Sequence, residues 1–153
     1  MKRRGKISLP VSVIVNILHD PVRVLRRSYH RGFSEGLRVH EELGYTNRRV
    51  FTKVVGEFVV SGIPDRIVDD RVEDLKTYYS EDSRLWYERL AHTQCNLYCF
   101  LTGLPRYRIV FYNMELNKIT HKIDVAADFD QALRDIKKAG RIWKKLHKVL
   151  GLL

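Results

Sequence analysis

Asp65, Asp74 and Lys76 are the residues of this sequence best placed to do chemistry together. Five carboxylates fall between Asp65 and Asp74, in a chain whose formal net charge is +10. Asp69-Asp70 is a turn-like pair between two runs of strand-forming residues. A two-residue loop there would set Ile67 opposite Val72, Arg66 opposite Glu73 and Asp65 opposite Asp74; a symmetric four-residue loop keeps the same pairs. Like charges facing each other on a hairpin repel. Lys76 lies two residues beyond Asp74 and so projects from the same face. Two readings fit this pattern. One is a solvated acidic tip neutralised by Lys76. The other is a pair of carboxylates gathered round Mg²⁺ or Mn²⁺, hard cations that take oxygen ligands. In the second, Lys76 would orient or help deprotonate a metal-bound water, or stabilise charge on a phosphate.

The elements that must carry these residues can be read from periodicity and punctuation. Ser8-Leu9-Pro10 opens a short apolar helix reaching about His19, and Asp20-Pro21 is an N-cap and first-turn pair for a second. Ser34 can cap a third helical stretch, EGLRVHEEL, that Gly44 ends. RRVFTKVV, EFVVSGIPDRIV and RVEDLKTYY read as strands. The helical period returns from Ser83 to Thr102, where Gly103 and Pro105 stop it. A second hairpin, YRIVFYNME and KITHKIDV, turns around Leu116-Asn117. The last helix, Phe129 to Leu150, has an apolar stripe and an opposite face carrying Arg134, Lys137, Lys138, Arg141, Lys144, Lys145 and Lys148. This order predicts an α/β or α+β domain with one mixed sheet.

Composition narrows the class. At 153 residues the chain predicts one domain with a proper core. It has no apolar run of the ~18–20 residues that cross a bilayer. MKRRGK looks like a signal n-region, but no cleavage site follows, so the expected location is the cytoplasm, a host's if the chain is viral. Cys95 and Cys99 are the only cysteines, which excludes a disulfide framework and a four-cysteine metal site. Charge is uneven: residues 1–50 carry a balance of +7, residues 51–130 of −3 and residues 131–153 of +6. Basic ends around an acidic centre suit a protein holding a phosphate backbone about a cation, or are plain solvated faces.

Four motifs in order resemble the PD-(D/E)XK nuclease superfamily. Gly62-Ile63-Pro64-Asp65 followed by Asp74-Leu75-Lys76-Thr77 is similar to its core, an Asp and an Asp/Glu-x-Lys on adjacent strands. Gly36-Leu37-Arg38-Val39-His40 matches the upstream G-x-x-x-H of the RecB-like branch, and Gln94-Cys95-Asn96-Leu97-Tyr98 its Q-x-x-x-Y. SLPVSVIVNILHDP is similar to the N-terminal helix of the single-domain exonucleases of CRISPR adaptation. The resemblance covers roughly residues 8–125 and implies a restriction-endonuclease-like core: a central mixed β-sheet of about five strands flanked by helices.

The resemblance implies roles as well. Asp65, Asp74 and Lys76 would be catalytic, and His40, Asp65, Asp74 and the Leu75 carbonyl would hold Mg²⁺ or Mn²⁺. Gln94 and Tyr98, four apart on a helix, would position DNA or support the site from behind. Many such exonucleases bind an iron–sulfur cluster through four cysteines; here His19-Asp20 precedes Pro21 and no cysteine follows Cys99, so no cluster is expected. The expected organisation is a single nuclease domain over 1–153: N-terminal helices over 1–48, a catalytic core over 49–125 and a basic amphipathic helix over 128–153. Arg23, Arg26, Arg27, Arg48, Arg49, Lys137, Lys138, Arg141, Lys144 and Lys145 would grip the DNA backbone, single- or double-stranded, without reading bases. The expected function is a metal-dependent DNA nuclease, first an exonuclease acting on ends with low sequence specificity. The alternative is an inactive or structure-specific nucleic-acid-binding module on the same fold. Assembly as a homo-oligomer is left open.

Overall fold

The order of apolar and turn residues produces two small sheets wrapped round one long helix. The structure, a computed structural model, describes residues 5–25 and 33–151. Strand β1 (Ile7–Pro10) runs into α1 (Val11–His19), followed by α2 (Pro21–Leu25) and α3 (Phe33–Glu42). Then come β2 (Phe51–Val55), β3 (Phe58–Gly62), β4 (Arg66–Val68) and β5 (Arg71–Tyr78). Helix α4 (Glu81–Thr102) crosses to β6 (Arg106–Asn113), β7 (Lys118–Ala126) returns beside it, and α5 (Phe129–Val149) closes the chain. One sheet has the order β1-β3-β2 and the other β4-β5-β6-β7. Both are mixed: β1 is parallel to β3 and β5 to β6, and the remaining pairs are antiparallel. Helices flank mixed sheets in the expected α/β architecture, but the strands divide into two sheets of three and four and not one sheet of about five, because the chain changes sheets after Gly62.

Two local expectations change. Ser8-Leu9-Pro10 does not open a helix; it ends a strand in which Leu9 pairs with Val60. Pro10, at φ −64° and ψ 146°, is extended and serves as the N-cap, and α1 begins one residue later. EFVVSGIPDRIV is not one strand. It leaves the first sheet after Gly62 and enters the second at Arg66, with buried Pro64 and the bend at Asp65 between. Asp65 therefore sits at the switch between sheets.

The ends of the two long helices are set by local caps. Ser80 caps α4 by accepting from the Ser83 N–H at 3.2 Å, and Gly103, at φ 76°, ends it in a left-handed turn that costs glycine little. Asp128 caps α5 in the same way, accepting from the Gln131 N–H at 2.9 Å. Helix α3 is described from Phe33, which places Ser34 within its bounds.

The core lies between the sheets and α1, α4 and α5, with Leu9, Ile14, Val60, Leu97, Ile109, Phe111 and Ile136 fully buried. A smaller cluster of Val39, Leu75 and Val110 seats α3 on the other face of the second sheet. Helix α4 touches strands of both sheets and ties them together. Its fit is tight at Gly62, where an added methyl would lie 2.7 Å from Tyr98 Cε1 and 3.0 Å from Val11 Cγ2. Gly62→Ala is expected to cost about 1–3 kcal/mol through overpacking, read as a lower Tm in thermal unfolding. An unchanged Tm would mean that the Tyr98 ring yields freely.

Candidate active site

The hairpin forms in the expected register: Arg66 pairs with Glu73, Ile67 with Val72 and Val68 with Arg71. Its turn is Asp69-Asp70, with Asp69 at φ +54°, a left-handed conformation that aspartate tolerates better than most residues. Strand β4 covers only the first three residues of β5. Beyond Glu73 that edge of β5 has no strand beside it among the described residues, and Asp65 fills the gap by accepting a hydrogen bond from the Leu75 N–H at 3.0 Å. A residue's N–H and C=O face the same edge of an extended strand, so the Leu75 carbonyl points to this side too.

Asn47 pins the bend. Its N–H donates to the Asp65 carbonyl at 2.9 Å and its Nδ2 to the Pro64 carbonyl at 2.7 Å. Sequence reasoning missed this residue; the only signal was an Asn in a short polar stretch before a strand, a common place for side-chain-to-backbone bonds.

His40 reaches the same point from α3. Its Nδ1 lies 2.7 Å from the Gly36 carbonyl, which can only accept, so the proton sits on Nδ1 and Nε2 faces Asp65 Oδ2 at 3.3 Å. Gly36 explains the glycine of G-x-x-x-H: a methyl there would lie 3.3 Å from Thr77 Oγ1, so glycine lets α3 come close to β5. Burial alone would lower the His40 pKa, but the Asp65 hydrogen bond, with the Gly36 carbonyl and nearby carboxylates, raises it.

Asp74 lies on the face of β5 turned to α4 and is 1 % exposed. Lys76 Nζ is 3.1 Å from its Oδ2 as a charge contact. The approach is off the line of a hydrogen bond, and neither oxygen of Asp74 has a hydrogen-bond partner among the described residues. Burial first, opposed by Lys76 and aided by the Asp65 charge, pushes its carboxyl up to about 7. Asp65 moves the other way: burial would raise it, but the bond to His40, the Lys76 charge and the Leu75 N–H hold it below its ordinary value. Lys76 is raised, because the two aspartates outweigh its burial.

Behind Lys76 runs a short relay. Its Nζ donates to Gln94 Oε1 at 2.6 Å, and Gln94 Nε2 donates to the Tyr98 hydroxyl at 2.9 Å. Gln94 and Tyr98 thus hold the lysine from one turn of α4, and Gly62 admits the Tyr98 ring. Burial pushes the Tyr98 hydroxyl far up, so it stays a neutral partner. The thiol of Cys95, fully buried beside them, is also raised well above its ordinary value and is inert packing.

Beside these groups lies a cleft of about 840 Å³ between α1, α2, α3, β5 and α4, with Asp74 and Tyr98 set behind its wall. His40, Asp65, Leu75, Lys76 and Gln94 face it, Arg23 stands at its α2 side, and Tyr78, Tyr79 and Tyr87 add an aromatic stretch.

The expected DNA-gripping residues divide. Arg48 and Arg49 are exposed and follow Asn47. Lys137, Lys138, Arg141 and Lys145 are exposed on α5, but no α5 residue is among the described residues that line the cleft. Lys144 is engaged with Glu57 at 2.9 Å. Arg26 and Arg27 lie outside the described residues.

Among the described residues, no three His, Cys, Asp or Glu side chains already close on one point as a finished cage. Mg²⁺ rarely has such a cage, and usually takes one or two carboxylates with waters and substrate phosphates. The two orphaned oxygens of buried Asp74, beside Asp65 and the Leu75 carbonyl edge, fit that kind of site: they need a cation, and only a proton or Lys76 otherwise meets the need.

No family model matches the chain, and no curated protein matches it in sequence. Solved structures do match in fold. The alkaline exonuclease LHK-Exo from Laribacter hongkongensis superposes with a TM-score of 0.65 at 11% identity, covering 95% of this chain and 90% of that one. The same enzyme in complex with dAMP gives a TM-score of 0.53 at 13% identity over 97% and 95%. A phage-related exonuclease from Haemophilus somnus 129PT gives 0.59 at 11% identity over 92% and 83%. At such identities the likeness is one of fold. With β4-β5 as its hairpin and α4 as its crossover, this chain shares the fold of these exonucleases.

Proposed function

We propose that the protein is a divalent-metal-dependent deoxyribonuclease of the RecB-like kind, acting on DNA ends with low sequence specificity. The observation that carries this reading is Asp74: a carboxylate buried to 1 % exposure, with neither oxygen hydrogen-bonded among the described residues, directly behind Asp65 and Lys76, which line the cleft. A buried charge left in that state is costly unless it has a task. The fold shared with alkaline and phage-related exonucleases supports the same reading.

Asp65, Asp74 and the Leu75 carbonyl would hold Mg²⁺ or Mn²⁺, with His40 Nε2 within reach through Asp65. When bound, such an ion polarises the phosphate and makes water a better nucleophile near neutral pH. Lys76 places its ammonium where negative charge grows on the phosphate oxygens, and Gln94 and Tyr98 keep it from swinging away. Arg23, Arg48 and Arg49 would grip backbone phosphates, which position a strand without reading bases. The basic face of α5 would add long-range attraction, weakened by salt.

The test compares linear and circular DNA, single- and double-stranded, incubated with Mg²⁺, Mn²⁺ or EDTA. Loss of linear DNA only with metal, and survival of circles, is the expected result. Cutting of circles would make the enzyme an endonuclease. DNA held but uncut under every metal condition would leave a binding module on this fold.

A further inference from the structure

On the opposite face of the second sheet from Asp74 is a separate pocket of about 220 Å³, and we propose that it binds a phosphate group. Its walls bring together Arg66 from β4, Arg71 from β5, Arg108 from β6 and Lys122 from β7, with Tyr45 and Glu73 beside them. The register explains the convergence. Arg66 pairs with Glu73, Glu73 with Arg108 and Arg108 with Asp124, so one row across four strands points its side chains to one face. Lys122 pairs with Val110 in the next such row.

The carboxylate in the pocket does not cancel its charge. Glu73 is 2 % exposed and forms the floor, where Arg71 Nη2 donates to its Oε1 at 3.1 Å and Arg66 Nη2 approaches its Oε2 at 3.6 Å. Arg66 is further fixed over the Tyr45 ring, 4.9 Å from its centroid, and gives Nη1 to the Leu43 carbonyl at 3.4 Å. Each guanidinium has five N–H donors in a plane, so these contacts orient the arginines and leave donors for a second acceptor. Arg108 holds Asp124 from the outer side at 2.7 Å, and Asp124 is mostly exposed there. Lys122 is exposed and has no carboxylate within ion-pair distance among the described residues. Four cations against Glu73 and Asp124 leave a surplus of positive charge in a concave, half-buried place. Preoriented guanidiniums in such a place take a tetrahedral oxyanion better than a monovalent anion, because several N–H groups bond it at once.

The phosphate could belong to a nucleic-acid strand or to a small molecule, and the inference stands without the hydrolytic reading. The experiment is residue-resolved NMR titration of the whole protein in EDTA, following the backbone amides of Tyr45, Glu73, Arg108 and Lys122. Inorganic phosphate, a deoxynucleoside monophosphate and an uncleavable phosphorothioate dodecamer are the three probes. Saturable shifts at these amides, weakened about tenfold or more in Lys122→Glu and in Arg108→Gln, are expected. A dodecamer bound at least about tenfold tighter than phosphate assigns the site to a strand, and equal affinities assign it to free phosphates. Shifts no larger than those from sodium chloride at equal ionic strength, or shifts untouched by Lys122→Glu, would overturn the proposal. Since Lys122 is exposed, that variant decides the matter even if Arg108→Gln folds poorly. Binding here by a protein that cleaves no DNA would sink the nuclease reading and leave this one intact.

Discussion

Asp74→Asn is expected to lower metal-dependent DNA hydrolysis by about a thousandfold or more and to remove the protein's stability response to metal. The side chain keeps its shape and loses its charge, so folding should persist while the central oxygen ligand weakens. The wild type supplies the second readout. Asp74 releases its proton near its ordinary 3.8 when unfolded and at about 7 when folded. Between those values the unfolded chain sheds the proton and the folded chain keeps it, so stability falls as pH rises from about 4 through about 7, by a few kcal/mol in order of magnitude. His40, also raised, acts in the same direction from its ordinary 6.5 upward and carries the fall past that window. Asp65 is lowered, so its stabilising share is present throughout this window and is lost only as pH falls below its ordinary 3.8. Thermal melts in EDTA should therefore show the wild-type Tm dropping between pH 5 and pH 8. Mn²⁺ at pH 8 should restore it, because a cation replaces the proton. In Asp74→Asn the drop should be shallower and Mn²⁺ should move the Tm little. A variant with wild-type Mn²⁺ stabilisation would show that the ion is held elsewhere.

Lys76→Met has the second largest expected effect: cleavage slower by about a hundred- to a thousandfold at saturating DNA, with DNA affinity in EDTA changed by less than about threefold. Methionine keeps the stem and discards the ammonium. The ammonium sits between Asp74 and Gln94, more than three-quarters buried, and adds little to the surface field that first attracts DNA. Single-turnover rates and fluorescence anisotropy separate the two quantities. Equal losses in rate and affinity would make Lys76 a phosphate anchor and not a group that acts on the transition state.

Much of this arrangement was legible in the residues. The hairpin register followed from one turn-forming pair flanked by strand formers, since side chains alternate with period two and any slip would bury charges. The shared face of Asp74 and Lys76 came from the same alternation, and the spacing of Gln94 and Tyr98 placed both on one helix face; Asp65 does not pair with Asp74 as expected but reaches the site from a bend outside the ladder, through its bond from the Leu75 N–H. What they hold was not legible, because the partner, Lys76, lies eighteen residues away in the chain on another element. Strand β1 was hidden by composition: Leu9-Pro10-Val11 continues an apolar run into α1, and only its pairing with β3 makes it extended. The break of EFVVSGIPDRIV was hidden for the opposite reason, as its period continues across Gly62 although the chain changes sheets. Asn47 had no periodic signal at all. Its importance lies in two backbone carbonyls supplied by a distant bend.

That bend has a consequence for how the molecule is built. Asp65 is joined to the first sheet through β3 and to the second through β4, and it meets groups contributed by α3 and β5. Asp74, Lys76 and Gln94 lie along β5 and α4. Although the set falls between His40 and Tyr98 in the chain, it is spread over α3, the bend, β5 and α4, so no single element carries it. The constellation therefore depends on tertiary contacts between separate elements, and under the proposed function a partly melted copy would lack the assembled site, so that cleavage would report on the completeness of the fold.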